Sequence, residues 1–137
     1  MALTHLVDTS VLTRLGEISV RAQVERLAAA GQLARAGISD LEIGYWARNV
    51  KEWDALSHAL SAFALVETEA SHVARARQVQ RLLAERSQRG RKVPDLLVAA
   101  AAEEIGLIVL HYDSDFDRIS AATGQKCAWV VPAGSVD

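Results

Sequence analysis

The fold is decided by the stretch Thr4-His5-Leu6-Val7-Asp8-Thr9-Ser10-Val11-Leu12, in which one carboxylate separates two apolar runs. The run before Asp8 predicts a buried strand, and the residues after it predict the start of a helix. Asp113 repeats this placement after the run Leu107-Ile108-Val109-Leu110-His111-Tyr112. Open α/β sheets form their clefts at the carboxyl ends of parallel strands. We therefore expect both acids at one such cleft.

Three more acids lie at the edges of apolar stretches. Glu42 and Asp95 lie near the starts of predicted helices, and Asp115 follows Asp113 by two positions. Carboxylates gathered in one cleft repel each other unless protons or cations neutralise them. Oxygen ligands favour a hard ion, so the pattern predicts Mg²⁺, with Mn²⁺ as a substitute, rather than zinc. The single cysteine and the absence of Cys-x-x-Cys or His-Glu-x-x-His agree with this choice.

Strand and helix patterns alternate along the whole chain. We predict strands near 4–8, 35–38, 63–66, 107–112 and 128–131, and helices near 10–16, 19–31, 39–50, 52–61, 69–88, 94–105 and 114–122. This alternation predicts an α/β fold in which helices cover both faces of a central, mostly parallel sheet. The length of 137 residues and a hydrophobic content of 50% suit a single domain over 1–137.

No membrane or export signal stands out in the sequence. No uninterrupted apolar segment approaches the roughly 20 residues that span a bilayer. The first residues lack the basic region of a signal peptide, and Asp8 interrupts the apolar run there. We therefore expect a soluble cytoplasmic protein without a membrane partner.

Basic residues concentrate in one stretch although the net charge is −2. They lead up to Asp95 and are Arg75, Arg77, Arg81, Arg86, Arg89, Arg91 and Lys92. Cations beside a metal cleft could hold the phosphates of a nucleic acid. A solvated helix face explains the arginines at the start of this stretch equally well. Arg89, Arg91 and Lys92 are the predicted nucleic-acid contacts, because they lie close to Asp95 in the sequence.

Four acidic motifs in this order resemble those of PIN-domain ribonucleases, specifically the VapC toxins of type II toxin–antitoxin pairs. The motifs are Leu6-Val7-Asp8-Thr9-Ser10-Val11-Leu12, Ile38-Ser39-Asp40-Leu41-Glu42-Ile43-Gly44, Pro94-Asp95-Leu96-Leu97-Val98-Ala99-Ala100-Ala101-Ala102 and His111-Tyr112-Asp113-Ser114-Asp115-Phe116-Asp117-Arg118-Ile119. The tail Trp129-Val130-Val131-Pro132-Ala133-Gly134-Ser135 looks like the closing strand of that family. The resemblance spans essentially the whole chain and implies a PIN-like three-layer α/β/α fold.

The resemblance also implies an activity and partners. It implies a metal-dependent endoribonuclease toxin that cleaves structured cellular RNA, such as tRNA or rRNA, and thereby inhibits translation. A cognate VapB-like antitoxin would neutralise it, in that family often by placing a basic side chain among the carboxylates. Family members commonly form homodimers, so a homodimer is expected here as well.

The acidic site suggests metal-assisted phosphodiester hydrolysis without a covalent nucleophile. We predict Asp8, Asp95 and Asp113 as direct metal ligands, and Glu42 as either a ligand or a base that orients water. Together these four form the predicted catalytic set. Asp115 is predicted to bind a second ion or to act through water. Ser10 is a candidate contact to phosphate.

Each of these residues also has a structural explanation. Taken alone, Asp8 is explained as the cap of the helix that follows it, and Asp95 as a charge that complements the positive start of its helix. Local capping accounts for Ser10. His111 lies inside a predicted strand and is expected to be a packed, hydrogen-bonded side chain. The aromatic residues Tyr45, Trp46 and Trp53 line either the core or a partner surface.

Other function classes remain as alternatives. A catalytically weak PIN-like module would bind RNA without cleaving it, even with Mn²⁺. A receiver-type signalling domain would form an aspartyl phosphate, but Asp8 lacks the acidic pair expected near the start of such a domain. A dehalogenase-like phosphatase is disfavoured because Asp8-Thr9-Ser10 lacks a second aspartate two positions after the first.

Overall fold

A computed structural model describes residues 2–88 and 92–137 of the chain. Within these ranges it contains five strands and seven helices. The strands are β1 (His5–Val7), β2 (Leu33–Ala36), β3 (Ala64–Val66), β4 (Ile108–His111) and β5 (Cys127–Trp129). The helices are α1 (Thr9–Leu12), α2 (Ile18–Ala29), α3 (Gly37–Tyr45), α4 (Val50–Leu60), α5 (Ala70–Glu85), α6 (Val93–Ile105) and α7 (Asp115–Thr123).

The five strands form one sheet in the order β3-β2-β1-β4-β5, and every pairing is parallel. Because side chains alternate along a strand, Leu6 and Val7 of the central β1 enter different apolar layers. Leu6 packs in a cluster with residues of α5, α6 and α7, and Val7 packs with residues of α1 to α4. The predicted three-layer α/β/α fold with a parallel sheet is confirmed.

Helix α6 carries Asp95 in its first turn and is anchored at both ends. Pro94 lies in the first turn, where its missing N–H costs nothing, and Gly106 ends the helix with a left-handed φ of 71°. The run 98–102 is buried throughout, which fixes the helix against the sheet and α5. Asp95 therefore projects from a rigid support.

Several predicted boundaries are wrong by a few residues; the helix expected at 10–16, for example, ends at Leu12. The strand expected at 35–38 is β2, two residues earlier. The helix expected at 39–50 ends at Tyr45, because Asn49 adopts an extended backbone and its side chain accepts from the Glu52 N–H, which starts α4. Because α3 begins at Gly37 rather than at residue 39, Glu42, which was expected near a helix start, is the sixth of its nine residues.

Gly44 allows α3 and α4 to approach closely. A Cβ at this position would lie 2.8 Å from Nε1 of Trp53 on α4. We expect Gly44→Ala to lower the free energy of unfolding by up to about 1 kcal/mol, because the Trp53 ring must move away from the new methyl group and thereby loses packing against α3. Chemical denaturation measures this, and Gly16→Ala is the matched control because a Cβ there meets nothing within 4 Å. Equal stability of the two variants would contradict the prediction.

The aromatic residues of this region lie at the surface rather than in the core. Tyr45, Trp46 and Trp53 are 83%, 67% and 49% exposed. Of the two sequence interpretations, core packing is thereby excluded for all three. Among residues 2–88 and 92–137, no helix combines the length and the apolar character needed to cross a membrane.

Candidate active site

One cavity of about 410 Å³ gathers the four acids predicted as catalytic. Asp8 directly follows β1, Asp113 follows β4 by two residues, Glu42 lies on α3, and Asp95 lies on α6. The cavity thus opens at the carboxyl ends of the two central strands, as in other open α/β folds. Within the described ranges its other wall residues are Thr9, Ser10, Arg14, Lys92, Tyr112 and Ser114.

Asp8 is a helix cap, but capping uses only half of its carboxylate. Oδ2 accepts from the Ser10 N–H at 3.0 Å, and the Asp8 backbone is fixed to the Leu110 carbonyl. Oδ1 is buried without a hydrogen-bond partner, and the residue is 3% exposed. A buried carboxylate oxygen without a donor is costly, so its position calls for a cation or a proton.

Asp95, Asp113 and Asp115 form a compact carboxylate cluster, with one oxygen of each lying within 4.8 Å of the others. Asp95 is 4% exposed, and its Oδ2 is buried without a hydrogen-bond partner. Oδ1 of Asp113 accepts from the Asp115 N–H at 2.9 Å, which fixes the two residues relative to each other. One cation can contact all three side chains at this spacing.

Glu42 lies beside this cluster rather than within it. Its Oε1 accepts a hydrogen bond from the Thr9 hydroxyl at 2.7 Å. Thr9 directly follows Asp8, so the same short segment places one carboxylate and orients another. This arrangement distinguishes Glu42 from the three clustered acids.

Burial and mutual repulsion set the pKa values of the site. Burial, followed by the charges of Asp8, Asp113 and Asp115, raises the pKa of Asp95 to about 8, although Lys92 opposes the shift. Burial is also the largest cause that raises the pKa of Asp8. Burial alone would raise the pKa of Asp113, but hydrogen bonds from Lys92 and from the Asp115 N–H hold it below its usual range.

The donor set therefore fits a hard divalent cation. All of its donors are carboxylate oxygens, and one oxygen each of Asp8 and Asp95 is buried without a hydrogen-bond partner. A second group, Glu69, His72 and Glu104, is also close enough to hold an ion. There, Nδ1 of His72 accepts from the Glu69 N–H, so Nε2 carries the proton and faces Glu104 at 2.5 Å. Both ring nitrogens are thus engaged, and Glu69 and His72 form the capping box at the start of α5.

Among the residues that the structure describes, two cations border the acidic cavity, and the sequence interpretation missed one of them. Lys92 was predicted, and its Nζ donates to Asp113 Oδ2 at 2.7 Å. Arg14 was not predicted. Its guanidinium lies 4.8 Å from the centre of the Tyr112 ring, and its Nε donates to the Asp137 carbonyl at 2.7 Å. Its position four residues after Ser10 was the available signal, and its Nη1 does donate to the Ser10 carbonyl at 2.7 Å, but its contacts with Tyr112 and Asp137 are distant in sequence.

For the earlier arginines of this basic stretch, the sequence left phosphate contact and a solvated helix face equally open. Arg75 pairs with Glu103 at 2.7 Å, and Arg81 pairs with Glu85 on its own helix. Neither arginine borders the acidic cavity. The predicted contacts Arg89 and Arg91 lie outside the described residues.

His111 supports the site from the core. It is fully buried against the rings of Phe116 and Trp129, and its Nδ1 accepts from the Asp113 N–H at 3.2 Å. Burial lowers the pKa of His111 and thereby favours the neutral ring that this hydrogen bond needs. The expectation of a packed, hydrogen-bonded histidine is confirmed.

Ser10 links the two central strand ends. Its hydroxyl oxygen accepts from the Tyr112 N–H at 2.9 Å, one residue before Asp113. We expect Ser10→Ala to lower the free energy of unfolding by about 1 kcal/mol, because this N–H loses its acceptor. Thermal or chemical denaturation checks the change, with the exposed Ser19→Ala as the control. If the Ser10 and Ser19 variants are equally stable, the hydroxyl does not support the site. A contact between Ser10 and substrate stays a prediction.

The three-layer fold and the site place this protein in the class of α/β proteins that gather carboxylates at the carboxyl ends of parallel strands. The sequence matches the family model described as PIN domain over residues 5–122, and the chain belongs to this family. It is 64% identical to Ribonuclease VapC51 of Mycobacterium tuberculosis (strain H37Rv), with both chains fully covered. It is 39% identical to Ribonuclease VapC21 of the same strain, covering 98% of this chain and 99% of that protein.

Solved structures agree at the level of the fold. A DNA-bound VapBC complex from Salmonella typhimurium contains a chain that superposes with a TM-score of 0.79 and 15% sequence identity. The match covers 94% of this chain and 99% of that one. Within the PIN-domain family, the sequence relatives place the chain among the VapC proteins.

Proposed function

We propose that this chain is a VapC-type endoribonuclease toxin that requires a divalent metal and is neutralised by a VapB-like antitoxin. The observation that carries the proposal is the convergence of Asp8, Glu42, Asp95 and Asp113 in one cavity, from four separate parts of the sequence. The similar proteins VapC51 and VapC21 are named ribonucleases, and the structural neighbour is a VapBC complex. We also propose that residues 1–137 form a single domain.

The metal would be held by Asp95, Asp113 and Asp115, together with the unpaired oxygen of Asp8. We propose Mg²⁺, for which Mn²⁺ can substitute, because all candidate ligands are carboxylate oxygens. When bound, such an ion stabilises negative charge on a phosphodiester and makes water a better nucleophile.

The chain's own residues supply the remaining chemistry. Glu42, held by the Thr9 hydroxyl, would orient a water and accept its proton. Lys92 and Arg14, on the walls of the same cavity, would hold phosphates of the substrate. Arg89, Arg91 and Ser10 are proposed as further substrate contacts. The substrate class that we propose is structured cellular RNA, such as tRNA or rRNA.

The acidic cavity also suggests how a partner would inhibit the protein. A basic side chain of a VapB-like antitoxin, placed among these carboxylates, would supply the charge that a metal otherwise provides. The exposed aromatic residues Tyr45, Trp46 and Trp53 offer apolar surface for a partner. We further propose a homodimer that acts in the cytoplasm on cellular RNA.

Cleavage of total cellular RNA by purified, antitoxin-free protein tests the proposal. Reactions with Mg²⁺ or Mn²⁺ are compared with reactions in EDTA, new 5′ ends are mapped, and Asp95→Asn protein purified in the same way reveals contaminating nuclease. We expect discrete, metal-dependent ends that the variant does not produce. Intact RNA with folded, metal-loaded protein would contradict the proposal and favour a module that only binds RNA.

A further inference from the structure

Lys92 lies directly before α6, and its ammonium reaches the carboxylate cluster. Its Nζ donates to Asp113 Oδ2 at 2.7 Å and lies 4.0 Å from Asp95 Oδ2. These two carboxylates belong to the group whose oxygens lie within 4.8 Å of one another. The Lys92 side chain is nevertheless 61% exposed, so it can leave the cluster without disturbing packed residues.

A divalent cation and this ammonium compete for the same oxygens. Oδ1 of Asp113 already accepts from the Asp115 N–H, which leaves Oδ2 as the better ligand, and Lys92 binds that atom. A metal between Asp95 and Asp113 would also lie within a few ångströms of the ammonium. Like charges this close repel strongly in a partly buried pocket.

We propose that Lys92 is an internal counter-ion that a divalent cation must displace from Asp113, so that Lys92 lowers the metal affinity of the cavity. This inference rests on the proposed metal-dependent function and adds a control on that same site. Without metal, Lys92 partly neutralises carboxylates that would otherwise repel one another. Once displaced, its ammonium is free for a substrate phosphate, so metal binding and phosphate binding favour each other.

Direct metal binding by the full chain tests this proposal without relying on cleavage. Mn²⁺ is titrated into wild type and Lys92→Met by calorimetry, and free Mn²⁺ is followed by electron paramagnetic resonance. Lys51→Met is the matched control, because it removes one exposed lysine on α4, which lies outside the cavity wall. We expect the Kd for Mn²⁺ to fall about tenfold in Lys92→Met and to stay unchanged in Lys51→Met. The rise in Tm on adding Mn²⁺ should also be larger in Lys92→Met.

The outcomes separate this proposal from the one on which it rests. A measurable Kd in wild type that is equal or higher in Lys92→Met would overturn the counter-ion role and leave the metal site intact. An equal tightening in Lys51→Met would also overturn it, because net charge alone would then explain the effect. No Mn²⁺ binding by any of the three folded proteins would overturn the metal site itself.

Discussion

Asp8→Asn protein is expected to fold normally and to lose metal-dependent RNA cleavage by about 10²–10³-fold, equivalent to about 3–4 kcal/mol in the transition state. Asparagine caps a helix as well as aspartate does, so the hydrogen bond from the Ser10 N–H survives. What disappears is the negative charge on a buried carboxylate whose second oxygen lacks a donor. The substitution therefore separates the capping explanation of Asp8 from the metal-binding one.

The matched control for this variant is Asp54→Asn. Asp54 lies exposed on α4 and does not border the acidic cavity, so the control makes the same chemical change away from the site. Initial rates of cleavage are compared at equal concentrations of folded protein, and thermal denaturation confirms folding. Wild-type rates in Asp8→Asn would show that Asp8 is only a helix cap. If Asp8→Asn protein loses both cleavage and folding, Mn²⁺ binding is measured on the fraction that remains native. This measurement separates a loss of the metal site from a loss of the fold.

The acids at the strand ends were predictable because local patterns mark them. Asp8 and Asp113 each follow an apolar run, and such runs become the central strands β1 and β4 of a parallel sheet. Asp95 could be placed because Pro94 and Gly106 mark the two ends of its helix. The deciding signal lies close to each acid, since an apolar run directly precedes Asp8 and Asp113 and Pro94 directly precedes Asp95, so a single sequence suffices.

The cations of the site were harder to predict because their positions depend on distant contacts. Lys92 and Asp113 are 21 positions apart, and their hydrogen bond follows from the way α6 packs against β4. Arg14 donates locally to the Ser10 carbonyl, but it is also held by Tyr112 and by the carbonyl of Asp137, which is 123 positions away. A charge run in the sequence shows where basic residues are frequent. It does not show which of them turn toward the acids.

The contacts of the arginines on α5 likewise depend on packing that the sequence does not show. From the sequence, Arg75 and Arg81 could be either phosphate contacts or members of a solvated helix face. The structure pairs them with Glu103 and Glu85, respectively. Because the acidic partner of Arg75 lies on α6, only the packing of two helices reveals this pair. Such contacts set the limit of inference from one sequence.

Metal binding is expected to strengthen steeply with pH because the metal-free site holds a proton on Asp95. The pKa of this buried side chain is raised to about 8, so it is mostly protonated at pH 7 without metal. A divalent ion needs the carboxylate, and its binding must therefore release the proton. Below pH 8 the Kd should rise about tenfold for each unit that the pH falls. Lys92 stays charged throughout, since its pKa is raised above its usual value by Asp113.

Mn²⁺ titrations between pH 6 and pH 9 measure this dependence. We expect the Kd to fall about 50-fold from pH 6 to pH 8 and to level off towards pH 9, because Asp95 is mostly charged only above its pKa of about 8. Calorimetry in buffers of different ionisation enthalpy should detect at least about one proton released per ion near pH 6 and fewer near pH 9. Asp95→Asn is the control, since it should bind Mn²⁺ more weakly and with a shallower pH dependence. A Kd for Mn²⁺ that stays constant between pH 6 and pH 8 in wild type would contradict this prediction. It would mean that Asp95 is already ionised in the metal-free protein, because Lys92 and solvent offset the effect of burial on its charge.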